Sequence, residues 1–213
     1  MCKYRTYDLR FWHCFFGIPG TLNDINVLQR SPLFDETLTG AAPSVKYKIN
    51  EKEHEGGYYL ADGIYPKYAT LMTTISTPKT LAEEKFATLQ EAYRKDIERA
   101  FGVLQSRFRV VSQASRSWSS SKMMNVMYTC CILHNMIMAD RNLFLKKENE
   151  EIQRTLESTT TTITPGKEQR SRDEIIRDQL INTKLMFNAE RHKARKQDLV
   201  DHVWKKYNDR QIK

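Results

Sequence analysis

Two acidic residues of this 213-residue chain have settings suited to metal-dependent chemistry. Asp62 follows a short apolar stretch, Tyr58 to Ala61, which together with the following Gly63 predicts a strand that ends at the carboxylate. Glu98 lies 36 positions later (98 − 62), in a long helical pattern that begins near Leu81. A strand end and a helix edge can bring two carboxylates to one hard divalent cation, which prefers oxygen ligands.

Both acids also have ordinary structural interpretations. An acid after a strand is a common turn former. Glu98 stands between Arg94 and Arg99, so it can also be a solvated ion-pair partner on the helix surface. From the residues alone, both interpretations stay open.

Two long helices are predicted to position the second acid and the core around it. The first helix should bury a stripe of apolar residues that recur at three- and four-residue steps. These are Phe86, Leu89, Tyr93, Ile97, Phe101, Leu104 and Phe108. The second helix is predicted to begin at Ser119 to Lys122, and because its residues are apolar nearly all round we expect it to be buried.

The first fifty residues predict strands and one short helix. The aromatic stretch Tyr7 to Gly17 predicts a strand that runs into a turn, and we interpret His13 within it as a structural residue. Asn23 or Asp24 is expected to cap the following helix. Alternating apolar and polar residues then predict a half-exposed strand over Val45 to Ile49.

The C-terminal third differs in character from the rest. We predict three regions: a domain at 1–140, a polar, Thr-rich linker at 141–170 and a basic, amphipathic helical tail at 171–213. Ser171 and Glu174 have the spacing of a capping box, which predicts a helix start. The tail can dock on the rest of the chain or contact DNA, and Trp204 favours docking because an indole side chain needs burial.

Composition excludes several classes of protein. The 34 Lys and Arg residues outnumber the 26 Asp and Glu residues and give a net charge of +8, which is compatible with a polyanionic partner. No apolar run is long enough for a membrane span, and the N-terminus lacks the apolar core of a signal peptide. The four cysteines have no CxxC spacing, so reduced, buried thiols are expected in place of a zinc site.

Four stretches in fixed order resemble the plant-type branch of the PIF/Harbinger transposases, over roughly Tyr7 to Asp140. They are FWHCFFGIPGTLNDINVLQRSPLF, GYYLADGIYP, RKDIERAFGVLQSRF and YTCCILHNMI. The resemblance implies an α/β fold with a partial RNase H-like mixed sheet and packed helices. It also implies DDE-type endonuclease chemistry with divalent Mg or Mn ions held by carboxylates.

Specific positions carry this implication. Asp62 matches the second catalytic acid of the family and Glu98 the third, so both are implied as catalytic metal ligands. Asp24 recurs in the family pattern and is a further metal-ligand candidate. The first catalytic Asp of the family is expected upstream of Met1, so the chain is expected to be truncated at its N-terminus and to lack that ligand.

The resemblance also implies partners and a location. DNA is the implied substrate, and Arg94, Arg99 and Arg107 are its candidate contacts. Family transposases commonly work with a separate Myb-like DNA-binding protein in the nucleus, and no membrane is expected. Two function classes remain: a metal-dependent DNA endonuclease, or a catalytically inactive remnant that binds DNA or protein.

Overall fold

The computed structural model describes residues 2–3, 9–16, 22–114, 119–148, 162–164 and 171–211. These residues form a mixed α/β structure made mostly of helices. The strands are β1 Cys2–Lys3, β2 His13–Cys14, β3 Ser44–Ile49, β4 Lys52–Glu55, β5 Tyr59–Ala61, β6 Leu71–Thr73 and β7 Thr162–Thr164. The helices are α1 Asp24–Arg30, α2 Asp35–Leu38, α3 Leu81–Arg107, α4 Arg109–Ser112, α5 Ser120–Glu148, α6 Arg172–Met186 and α7 Ala189–Gln211.

The predicted α/β class is confirmed, and the described strands lie in three small sheets. β1 pairs with β2, β3 lies between β4 and β7, and β5 pairs in parallel with β6. The chain divides into two compact units. We call Met1–Ser31 with Tyr93–Leu156 the helical unit, and Pro32–Ala92 with Glu157–Lys213 the strand unit.

The helical unit is built on contacts between α3, α5 and the segment around Phe11. Its buried core residues are Phe11, Ala100, Leu104, Cys130 and Cys131. The Phe11 ring packs at 5.3 Å from the Phe101 ring, measured between centroids. Cys130 and Cys131 are buried thiols, as the cysteine spacing predicts, and the Cys131 Sγ lies 3.7 Å from the Cys14 Sγ.

Two polar side chains of α5 hold the segment that contains Phe11. His134 is fully buried, and its Nε2 donates to the Leu9 carbonyl oxygen at 2.9 Å. The Asn135 side chain donates to the Phe11 carbonyl oxygen at 2.7 Å and accepts from the Phe11 N–H at 2.8 Å. His13 makes a structural contact as well, because its Nε2 lies 2.9 Å from Ser31 Oγ.

The prediction that α5 is buried all round is wrong. One side of the helix is buried at Cys130, Cys131, His134 and Met138. The opposite side is exposed at Val126, Ile132, Leu133, Met136 and Ile137 in the described part of the chain. Apolar residues on every face do not distinguish a fully surrounded helix from one that packs on a single side.

The β3–β4 hairpin of the strand unit has a two-residue turn at Asn50 and Glu51. Both residues have positive φ, 48° and 67°. This is the backbone sign that a type I′ hairpin turn requires, and Asn tolerates it better than Glu. The sequence predicts the β3 strand correctly.

The long helix α3 begins at Leu81 as predicted, yet its apolar stripe is only partly buried. Phe86 and Leu104 are buried, whereas Leu89 is 39% exposed. The position next to Leu89 in sequence, Gln90, is 3% exposed. The buried position is thus the polar residue next to the one that the periodic pattern predicts to be buried.

The C-terminal residues fold into two helices, in agreement with the predicted helical tail. Ser171 and Glu174 form the predicted capping box at the start of α6. The helix stops at Met186, and Asn188 Oδ1 accepts from the Arg191 N–H at 2.8 Å at the start of α7. The predicted linker, 141–170, contains the last residues of α5 and all of β7. The predicted division at 140 and 170 stays a prediction.

In the described part of the chain, no helix combines the length and apolar character that a membrane span requires.

Candidate functional site

Asp62 lies directly after β5, where the chain leaves a buried pair of parallel strands. Ala61, the last residue of β5, is 2% exposed, and its partner strand β6 contains the fully buried Leu71 and Met72. Asp62 itself is exposed. The strand therefore presents a carboxylate to solvent from a backbone that is fixed by packing.

The turn after β5 is closed by Asp62 itself. The Asp62 Oδ1 accepts from the Gly63 N–H at 2.7 Å. The Asp62 carbonyl oxygen accepts from the Tyr65 N–H at 3.2 Å. Asp62 thus closes the turn while its side chain stays exposed. Its role as a turn former is therefore compatible with a role as a metal ligand.

Helix α3 fastens both strands through Gln90. The Gln90 Nε2 donates to the Ala61 carbonyl oxygen at 2.9 Å and to the Met72 carbonyl oxygen at 3.1 Å. A Gln in a helix pattern gives no sequence signal for such a role, because its partners lie 29 and 18 residues away. Sequence reasoning therefore missed this residue.

A second carboxylate lies at the same edge of the β5–β6 pair. Ala61 is opposite Thr73 in the parallel register, so Asp62 and Thr74 both follow the strand ends. The Thr74 Oγ1 donates to Glu91 Oε1 at 3.3 Å. Glu91 is not among the acids predicted from the sequence as metal ligands.

Tyr59, the first residue of β5, remains protonated at neutral pH. Burial raises the pKa of Tyr59 to about 12, so its hydroxyl is neutral at neutral pH and cannot act as a base there. Its ring packs 5.9 Å from the Phe34 ring, measured between centroids.

The C-terminal helix α7 fastens the segment that leads into β6. Arg195 is 2% exposed and donates to the carbonyl oxygens of Ala69 and Glu55, both at 2.8 Å. His192 is 3% exposed, and its Nδ1 donates to the Tyr68 carbonyl oxygen at 2.9 Å. Part of the basic character of the tail thus serves contacts within the strand unit.

Glu98 belongs to the helical unit and has a different setting. Its side chain is 60% exposed, and Arg94 Nη1 lies 3.3 Å from its Oε1. Arg99 pairs with Asp96 at 2.6 Å. The i,i+4 pairing expected for Arg94 and Glu98 is thus present.

The remaining predicted site residues are also in the helical unit. Asp24 is exposed as the first residue of α1, and Asn23 is the N-cap because its side chain accepts from the Asn26 N–H. The Arg107 guanidinium faces α5, where Nη1 lies 3.5 Å from His134 Nδ1 and 3.4 Å from Met138 Sδ.

Asp62 lies in the strand unit, whereas Asp24, Glu98 and the three candidate arginines lie in the helical unit. In the described residues, no three His, Cys, Asp or Glu side chains are grouped so that they could hold a metal ion. The assignments of Asp62 and Glu98 as catalytic metal ligands, and of Asp24 as a further ligand, stay predictions. The DNA contacts of Arg94, Arg99 and Arg107 stay predictions as well.

Comparison with known proteins decides the family. A family model described as plant transposon protein matches residues 3–144, which is 142 of the 213 residues. The chain belongs to the plant transposon protein family. This family is of the PIF/Harbinger transposase type, as the quoted stretches indicate.

The curated relatives of this chain include proteins from animals and from a plant. Over 119 residues the chain is 31% identical to "Putative nuclease HARBI1" of Homo sapiens and 30% identical to its counterpart in Mus musculus. Each alignment covers 55% of this chain and 31% of the relative. "Protein ALP1-like" of Arabidopsis thaliana is 26% identical over 140 residues, which are 64% of this chain and 34% of that protein.

The chain spans about a third of the length of the curated relatives that it matches. No solved structure matches it. The names of the relatives point to a transposase-derived nuclease family, in which DDE-type members generally use divalent metal ions.

Proposed function

We propose that this chain is part of a metal-dependent DNA endonuclease of DDE type, with an RNase H-like fold, derived from a PIF/Harbinger transposase. The observation that carries the proposal is the exposed Asp62 carboxylate at the end of the buried strand β5, in a chain that belongs to this family. We further propose that it acts in the nucleus, together with a Myb-like DNA-binding partner.

The donor chemistry suits a hard divalent cation. Asp62 and Glu98 provide carboxylate oxygens, which Mg²⁺ and Mn²⁺ prefer, and both residues are exposed. When bound, such ions activate an attacking oxygen and stabilise the leaving oxygen in an in-line displacement at a DNA phosphodiester. In this proposal Asp62 and Glu98 hold the ions, with Asp24 as a further ligand.

The protein itself contributes positioning and charge. The turn bonds of Asp62 fix the direction in which its carboxylate leaves the strand. Arg94 and Arg99 lie within one helical turn of Glu98 and carry charges that a DNA backbone attracts. The net charge of +8 favours the approach of the polyanion.

The deciding experiment is nicking of supercoiled DNA by the purified chain with Mg²⁺ or Mn²⁺. With Asp24 as the further ligand, we expect cleavage by the wild type and none by Asp62→Asn or Glu98→Gln, because each change removes one anionic oxygen. Glu53→Gln is the matched control for Asp62, since Glu53 is in the same unit with an 80% exposed side chain. Asp96→Asn is the control for Glu98 on the same helix.

Cleavage that persists in Asp62→Asn would overturn the assignment of this residue. No cleavage by a folded wild-type chain would favour the second function class, a catalytically inactive module that binds DNA or protein. Gel-shift titration of the same preparation with duplex DNA would then separate these two kinds of binding module.

A further inference from the structure

Gln90 joins the end of β5 to the middle of β6 through a single buried amide group. Its two acceptors, the carbonyl oxygens of Ala61 and Met72, belong to adjacent strands of the parallel pair. Both partners are acceptors, so the amide must turn its NH₂ group toward them. The orientation of the side chain is thereby fixed.

The β5–β6 pair depends on such support. Each strand has three residues, and in the described part of the chain the two form a two-stranded sheet. A two-stranded pair of this size has little stability of its own, and a buried carbonyl oxygen without a partner is costly. Gln90 supplies a donor to a carbonyl of each strand from the helix packed beside them.

The bond to Ala61 acts on Asp62 directly. The Ala61 carbonyl and the Asp62 N–H belong to one planar peptide group, so holding the oxygen holds the start of Asp62. The other side of Asp62 is held by the turn bonds from Gly63 and Tyr65. The backbone that carries the carboxylate is therefore fixed on both sides.

We propose that Gln90 is a positioning residue that sets the orientation of the Asp62 carboxylate for metal binding. This inference rests on the proposed function, because it assigns Gln90 to the site that contains Asp62. Gln90 does not need to touch the ion. Residues that orient ligands from behind commonly change metal affinity by about ten- to a hundred-fold when they are replaced.

The test combines two measurements on the full chain. The first is Mn²⁺ affinity, from the electron paramagnetic resonance signal of free Mn²⁺. Gln90→Met keeps the side-chain volume but removes the donors, and we expect it to weaken Mn²⁺ binding about ten- to a hundred-fold. Gln105→Met is the matched control, since Gln105 is exposed on the same helix and should leave the affinity unchanged.

The double variant separates positioning from a general structural effect. If Gln90 acts through Asp62, then Gln90→Met should cause no further loss of affinity in an Asp62→Asn background. An equal loss in both backgrounds would overturn the proposal. If Gln90→Met fails to fold, Gln90→His replaces it, because a ring N–H keeps one donor, and the expected affinity is intermediate.

The second measurement does not depend on metal. We expect hydrogen exchange at the amides of Asp62 and Gly63 to be about tenfold faster in Gln90→Met than in Gln105→Met. Unchanged exchange at these amides would overturn the role of Gln90, whatever the metal affinity. Faster exchange with equal Mn²⁺ binding by wild type and Asp62→Asn would instead refute the proposed metal site and leave the positioning of Asp62 intact.

Discussion

The two compact units hold their extended segments in the same physical way but with residues from different parts of the chain. In the helical unit, Asn135 on α5 bonds to both backbone groups of Phe11. In the strand unit, Arg195 on α7 bonds to the carbonyl oxygens of Ala69 and Glu55. In each case a helix supplies hydrogen-bond partners to backbone groups that the small sheets leave unpaired.

The two helix residues that hold these segments, Asn135 and Arg195, differ in their position relative to the residues that the family model matches. Asn135 is inside the matched residues, 3–144, whereas Arg195 is beyond them. The segment before β6, the strand next to that of Asp62, is therefore held by residues that the family match does not include. The C-terminal helix is part of the unit that contains Asp62.

The largest effect is expected for Arg195→Met. This change removes two hydrogen bonds from a charged, 2% exposed guanidinium, and bonds of this kind contribute about 1.5–3 kcal/mol each. We expect the free energy of unfolding to fall by about 3 kcal/mol, because relief of a buried charge offsets part of the loss. Urea denaturation measures the change.

Lys193→Met serves as the control for Arg195→Met, because Lys193 is exposed on the same helix. It should change the free energy of unfolding by less than about 0.5 kcal/mol. Equal effects of the two variants would mean that α7 does not anchor the strand unit.

A smaller effect is expected for Asn135→Leu in the helical unit. The variant keeps the approximate size of the side chain but loses two neutral hydrogen bonds to Phe11. Such bonds contribute about 1 kcal/mol each, so the free energy of unfolding should fall by about 2 kcal/mol. The exposed Asn125 on the same helix provides the control variant, Asn125→Leu. A larger loss in Asn135→Leu than in Arg195→Met would reverse the comparison of the two anchors.

The two units share a pH dependence through one buried histidine each. Burial lowers the pKa of His134, and the charge of Arg107 lowers it further. Burial also lowers the pKa of His192, and the charges of Lys196, Lys67 and Arg195 lower it further. In both histidines the hydrogen bond to a carbonyl opposes the shift.

The direction of the pH effect follows from proton binding. Between the lowered pKa of each folded-state histidine and the ordinary value of 6.5, the unfolded chain binds more protons than the folded one. The contribution of each histidine to the free energy of unfolding is therefore fully present above pH 6.5, and it is lost as the pH drops through this window. The slope is at most about 1.4 kcal/mol per pH unit for each histidine.

Urea denaturation at a series of pH values tests this prediction. His134→Gln and His192→Gln should each reduce the slope below pH 6.5, since an amide cannot take up the proton. The pKa values of His13, His54 and His202 are also lowered by burial, so part of the slope should remain in each variant. An unchanged slope in both variants would contradict the assignment.

Local signals in the sequence predicted the elements that carry the candidate site. A short apolar run followed by Gly63 was enough to place a strand end at Asp62, because turn chemistry is encoded within a few residues. The start of α3 and the capping box of Ser171 and Glu174 were predicted for the same reason.

Local sequence signals could not predict the hydrogen bonds between residues that are far apart in the sequence. The partners of Gln90 and Arg195 lie up to 29 and 140 residues away, and each residue alone has the pattern of an ordinary helix surface. The exposed apolar side of α5 was not predicted, because the periodic pattern shows that a helix face is apolar but not whether other residues cover it. These features require the three-dimensional pairing of segments, which periodic patterns do not contain.

The smallest effect on stability is expected at the second candidate acid. Glu98 is 60% exposed on its side chain, and its bond to Arg94 is a surface i,i+4 pair, which typically contributes about 0.3–0.5 kcal/mol. Glu98→Gln should therefore change the free energy of unfolding by no more than about 0.5 kcal/mol. Asp96→Asn should reduce the free energy of unfolding more, because the Asp96 side chain is only 16% exposed and lies 2.6 Å from Arg99.

If Glu98→Gln abolished DNA nicking while the more disruptive Asp96→Asn did not, the loss would be chemical and not structural. A loss of stability in Glu98→Gln above that of Asp96→Asn would instead show that Glu98 is part of the packing of α3.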